Sequence, residues 1–175
     1  MTTLQSLIRE AFIDPIRSVL IVDDQYPTWD EVLNNALPEP PRDAELETRS
    51  SKKHWRVDSS GALSVISQFR KKKPALILDI HDAPDATADH LHQSDLLILD
   101  YNLEGAESGL GGAMARDIMR SVLRNQHFNL VVVHTQETAL RDVFHSCLIS
   151  LSTPLSQVFD KELEMIAGLE EKLDE

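Results

Sequence analysis

Asp23 and Asp24 close one apolar run, Val19-Leu20-Ile21-Val22, and Asp100 closes another, Leu96-Leu97-Ile98-Leu99. Each run is too short for a solvent-facing helix and too uniformly apolar for a half-exposed strand, so both read as buried parallel strands. Carboxylates at the carboxyl ends of such strands converge in the crevice where open α/β sheets bind ligands. Three converging acids repel one another unless a cation lies between them, and a hard divalent ion with oxygen ligands, Mg²⁺ above all, meets that demand. Adjacent acids also serve as polar caps at strand ends. What favours a site is that the pair Asp23-Asp24 and the lone Asp100 belong to one sheet end.

The elements that must position these acids follow from the hydrophobic pattern. Leu4, Leu7, Ile8, Ala11 and Phe12 predict an amphipathic helix over residues 3–12, stopped by Asp14-Pro15. A strand over about 17–23 follows. Thr28, with Glu31 in capping-box spacing, predicts a helix from Thr28 to Leu37. Pro38-Glu39-Pro40-Pro41 and the charge-mixed stretch to Lys53 have the composition of a loop or disordered insertion. A helix is expected from Ser60 to Lys72, with Leu63, Ile66 and Phe69 on one face and Lys71-Lys72-Lys73 at its carboxyl end. Pro74 ends it, and Ala75-Leu76-Ile77-Leu78 reads as a second buried strand.

A short helix over Ala86–His92, a third strand over 95–100, a helix over 111–125 behind a glycine-rich entry and a fourth strand over 130–133 complete the alternation. Such alternation predicts an α/β doubly wound parallel sheet with a long insertion after the first strand. Residues 138–151 and 158–173 read as helices. In the second of these, Leu163, Ile166, Leu169 and Leu173 form a stripe able to pack on the domain or on another copy. The expected organisation is an N-terminal helix over 1–16, a body over 17–137 with its insertion at about 25–60, and a helical C-terminal segment over 138–175.

Composition narrows the partners. The 175 residues carry 29 acidic against 17 basic side chains, a net charge of −12, which opposes nucleic-acid backbone or an anionic membrane as a partner. No apolar stretch is long enough to span a bilayer, the N-terminus lacks a signal pattern, and the single cysteine, Cys147, suits a reducing compartment. A cytoplasmic protein is expected, with Cys147 a small buried residue inside a helix.

With the acid pair ending the first strand, Asp100 the third and Thr135 following the fourth, the chain resembles the receiver domain of two-component response regulators, a flavodoxin-like fold. The resemblance covers about residues 17–136. It implies that Asp23 and Asp24 hold Mg²⁺, that Asp100 accepts a phosphoryl group, that Asn102 gives the metal its backbone carbonyl, and that Thr135 is the switch hydroxyl. Gly109, Gly111 and Gly112 stand where that family turns into its third helix. Asp79, in the similar run Leu76-Ile77-Leu78-Asp79, stays outside the site, because only Asp100 is followed by a glycine-rich turn, one helix and the Thr135 strand.

Three features set the chain apart. The stretch from Asp24 to the second strand is unusually long. Glu104 stands where the family usually has proline. No fifth strand with a terminal lysine is recognisable, Lys161 being the only basic residue near that distance. The lead-in Phe12-Ile13-Asp14-Pro15-Ile16-Arg17 and the insertion look most like divergent receivers attached to bacterial conflict and phage-defence systems.

The resemblance implies a phosphorylated signalling domain rather than an enzyme of metabolism. Its partners would be a histidine kinase or phosphotransfer protein, and a homodimer through the C-terminal helices. A pseudo-receiver that holds a partner protein without being phosphorylated is the alternative. A metal-dependent phosphohydrolase fits less well, since Asp100-Tyr101-Asn102 lacks a second acid two residues on. His81, His90 and His92 read as solvated surface, His134 as a packed strand-end residue beside the pocket, and Trp29 and Trp55 as staples of the insertion.

Overall fold

The computed structural model describes residues 3–38, 43–56, 59–82, 93–103, 112–122 and 130–152. Compact units span Met1–Thr135 and Gln136–Glu175.

The first unit is built on four strands: β1 (Ser18–Val22), β2 (Ile77–His81), β3 (Leu96–Asp100) and β4 (Leu130–His134). They form one parallel sheet in the order β2-β1-β3-β4. The chain leaves β1 toward β2 on one side and returns to β3 on the other, so the winding reverses between β1 and β3. Ligands of open α/β sheets bind beyond the carboxyl ends of the strands at such a switch point. The acids at the ends of β1 and β3 flank it.

Alternation along β1 divides the core. Val19, Ile21, Leu78 and Ile80 cluster on one face with Ile16, Tyr26, Leu96 and Ile98, and α4 (Ser60–Arg70) lays Val65, Ile66 and Phe69 onto them. Leu20, Val22, Leu97 and Leu99 point the other way and are almost wholly buried, as are Ala115, Ile118, Met119 and Val122 of α5 (Ala113–Val122). Burial on both faces explains why β1 is apolar throughout rather than alternating. Leu63, expected on the inner face of α4, is 62% exposed. The stripe that faces the sheet runs through Ala62, Val65, Ile66 and Phe69, and Leu63 stands about 100° from Ala62 around the helix.

The N-terminal helix forms as α1 (Leu4–Ile8) and continues as a π-helical turn over Arg9–Ile13, with none of its residues buried. The described residues after β1 contain more helix than the segment's composition suggests. Helix α2 (Trp29–Ala36) begins with the expected capping box, Thr28 Oγ1 accepting from Glu31 N and Glu31 Oε2 from Thr28 N. Where a loop was expected, α3 (Ala44–Ser50) occurs, and a 3₁₀ turn (His54–Arg56) follows just beyond that stretch. Asp43 nucleates α3 by accepting the Glu45 and Leu46 amides, and the buried Asn34 side chain holds the Asp43 backbone through both its amide groups. The Arg70 guanidinium lies 4.9 Å from the Trp29 ring centroid and ties α2 to the end of α4.

Strand β2 starts two residues later than the apolar run implies, because its register with β1 pairs Ser18 with Ile77 and Val22 with His81. Asp79 is therefore a mid-strand residue opposite Leu20, away from the strand's carboxyl end. The second unit contains α6 (Leu140–Ser152), in which Cys147 and Ser150 are buried. The helices expected over 86–92 and 158–173 lie outside the described residues, as do Glu104, Gly109, Gly111 and Lys161.

Candidate metal centre

Register alone brings the acids level. Val22 pairs with both His81 and Leu99, and Asp100 pairs with His134, so Asp23, Asp82, Asp100 and Thr135 all emerge at one end of the sheet. The ladder continues one step past β1, with Asp23 N donating to the His81 carbonyl at 3.1 Å. It does the same past β3, where Tyr101 N donates to the His134 carbonyl at 2.8 Å.

Each strand-end acid is then turned inward by a local bond. Asp23 Oδ1 accepts the Gln25 amide at 2.8 Å, and Asp100 Oδ1 accepts the Asn102 amide at 3.1 Å. These short loops, in which an Asp accepts from the amide two residues on, fix the carboxylates without a protein cation. The result is a cluster in which one oxygen from each of Asp23, Asp24 and Asp100 lies within 4.8 Å of the others. Oxygen ligands of an octahedral ion with bonds of ~2.1 Å are about 3–4 Å apart, so the spacing of these three is close to what one Mg²⁺ would require.

The electrostatics agree with that fit. Burial, opposed by the Gln25 amide and reinforced by the charges of Asp100 and Asp24, raises the Asp23 carboxyl from its ordinary 3.8 to about 6. Burial also raises Asp24, with Asp100 adding to the rise and Gln25 and Lys53 opposing it. The Tyr26 phenol is pushed up by burial and by the Asp23 charge, which keeps it neutral beside the acids. A buried carboxylate with a carboxyl pKa this high is one whose charge lacks compensation. A dication among the three oxygens would supply it.

The glycine-rich turn has a physical reason at Gly112, whose φ is +71° and whose missing side chain makes room for the buried Tyr101 ring. Arg116 Nη1 donates to Tyr101 Oη at 2.9 Å and locks the residue that follows Asp100 against α5. The family model of the response receiver domain matches residues 15–173. The chain belongs to the receiver-domain family. No curated protein and no solved structure gives a significant match to it.

The structure of this receiver places the sequence-derived residues unequally. Asp23, Asp24 and Asp100 converge. Asn102 touches Asp100 through its amide, and its half-buried side chain is the second after β3. Thr135 is half-buried and directly follows β4, while His134, expected as a packed residue, is exposed and near enough to Asp23 to lower its carboxyl. The receiver also contains a residue that sequence reasoning passed over. Lys53, assigned to a polar loop, is buried, with Nζ donating to Asp82 Oδ2 at 2.7 Å, Glu31 Oε2 at 2.8 Å and the Tyr26 carbonyl at 3.2 Å. Nothing local separates it from its exposed neighbour Lys52, and only the tertiary position of the insertion does.

Proposed function

We propose that this receiver is a Mg²⁺-dependent phosphoacceptor that takes a phosphoryl group on Asp100 from the phosphohistidine of a histidine kinase or phosphotransfer protein. The observation that carries the reading is the convergence of Asp23, Asp24 and Asp100 at the switch point of the sheet. Asp23, Asp24, Asp100 and the Asn102 carbonyl would hold the ion. Bound there, Mg²⁺ neutralises the acids and the incoming phosphoryl oxygens, without which a carboxylate and a phosphoryl group repel.

The chain's own residues supply the rest. The Asn102 amide on Asp100 Oδ1 sets the carboxylate so that Oδ2 attacks phosphorus. An O–P bond forms as the P–N bond breaks, and the departing imidazole takes its proton from solvent. The Thr135 hydroxyl, at the end of the neighbouring strand, donates to the bound phosphoryl group and moves with it, biasing a two-state surface. The output is a changed contact with a partner or a second copy, not turnover of a metabolite. Among the described residues no helix is long and apolar enough to cross a membrane, and a cytoplasmic site of action accords with this.

The test is intact-mass spectrometry after incubation with acetyl phosphate and Mg²⁺. One phosphoryl increment, lost in EDTA and in Asp100→Asn, is the expected result. No increment on the wild type, with beryllofluoride and Mg²⁺ also leaving the melting temperature unmoved, would replace this reading with that of a pseudo-receiver that only holds a partner protein.

A further inference from the structure

We infer that Lys53 is the fixed positive charge of the acidic site, delivered by the insertion between β1 and α4, and that it opposes a divalent cation at Asp23, Asp24 and Asp100 while favouring an anionic phosphoryl group there. The inference rests on the phosphoacceptor reading and adds to it a residue from outside the sheet.

Among the described residues, Lys53 is the one buried cationic side chain. Its anchors tie it to the site. Tyr26, whose carbonyl it bonds, is three residues beyond Asp23, and Asp82 directly follows His81, the residue whose carbonyl receives the Asp23 amide. Its charge is felt at Asp24, where it works against the effect of burial. All three of its N–H donors are engaged, so the ammonium is held in place and acts through its field.

The surroundings are not those of a group placed for stability. One ammonium serves two carboxylates, and Glu31 Oε1 is buried with no hydrogen-bond partner among the described residues. Buried ion pairs seldom outperform apolar packing, so a gain in stability does not by itself account for the arrangement. The potential that the ammonium sets distinguishes the two occupied states of the site. With the ion alone, three carboxylates face one dication. With Asp100 esterified, two carboxylates and a dianionic phosphoryl group face it, so the phosphorylated site is the more negative. A fixed cation beside it favours the second state over the first.

Two variants of the full chain separate this from a purely structural role. Removing Lys53 alone would strand both Glu31 and Asp82, so the comparison first neutralises one of them, Glu31→Gln against Glu31→Gln/Lys53→Met, both checked for a cooperative melt. Adding Lys53→Met to Glu31→Gln should tighten Mg²⁺ binding about three- to tenfold and weaken beryllofluoride binding in saturating Mg²⁺ by a similar factor. Glu31→Gln alone, which leaves Lys53 in place and removes a negative charge, should shift both constants the opposite way from wild type, and this keeps the inference testable if the double variant does not fold. Shifts of the same sign for cation and anion, or none, in a chain whose wild type binds both ligands would overturn the role of Lys53 and leave the phosphoacceptor reading standing. A wild type that binds neither Mg²⁺ nor beryllofluoride would overturn that reading and this inference with it.

Discussion

Replacing Asp23 with asparagine should make the metal-free protein more stable. The Asp23 carboxyl rises from 3.8 to about 6 on folding, chiefly because burial penalises its charged form, with Asp100 and Asp24 adding to the penalty. Between those two values the folded chain keeps a proton that the unfolded chain has released, so stability falls as pH rises through that window and the whole penalty is present above about pH 6. Two pH units correspond to roughly 3 kcal/mol. Asparagine keeps the Oδ1 that accepts the Gln25 amide at 2.8 Å and is neutral at every pH, so Asp23→Asn removes the penalty without removing the turn. In EDTA near pH 7.5 its melting temperature should exceed that of wild type by about 6–12 °C, for a chain of this length. At about pH 5 the difference should shrink to roughly half. Added Mg²⁺ should raise the wild type and leave the variant nearly unmoved. Differential scanning calorimetry measures all of this, and a variant that melts with or below wild type in EDTA near pH 7.5 would refute the claim that uncompensated charge is stored at this sheet end.

If the acids hold Mg²⁺ as proposed, the ion would have to displace the Asp23 proton below about pH 6, so affinity measured by calorimetric titration should fall about tenfold from pH 7 to pH 5. Gly112→Ala should destabilise the protein by about 2–4 kcal/mol in denaturant melts, because a side chain there meets the Tyr101 ring and the backbone is left-handed.

Much of the site was legible because it depends on strands whose apolar runs end abruptly in acids. Burial on both faces forces such a run to be continuous, so the first polar residue marks where the strand leaves the core, and this located Asp23 and Asp100 directly. The same logic misplaced β2, since Ala75 and Leu76 extend its apolar run before the register with β1 begins. The insertion was opaque for a different reason. Its described helices are held by few, non-local polar contacts, such as Asn34 with Asp43 and Lys53 with Asp82, and these leave no period in the sequence. Helix α3 is short and polar, with no apolar stripe to announce it. The capping box at Thr28 was visible because its two partners are three residues apart, whereas the second function of Glu31, holding Lys53 across 22 positions, was not.

The energetics of the acids and of the insertion bear on one another. A ligand shifts an equilibrium only by its differential affinity for the two states, and relief of repulsion at the sheet end is one source of such a difference. Burying Asp23 beside Asp24 and Asp100 creates that difference in the metal-free chain. Lys53 limits it, offsetting part of the repulsion at Asp24 while its bonds to Tyr26, Glu31 and Asp82 fasten the insertion to the same end of the sheet. Any change of charge at the acids is therefore felt by the ammonium that holds the insertion.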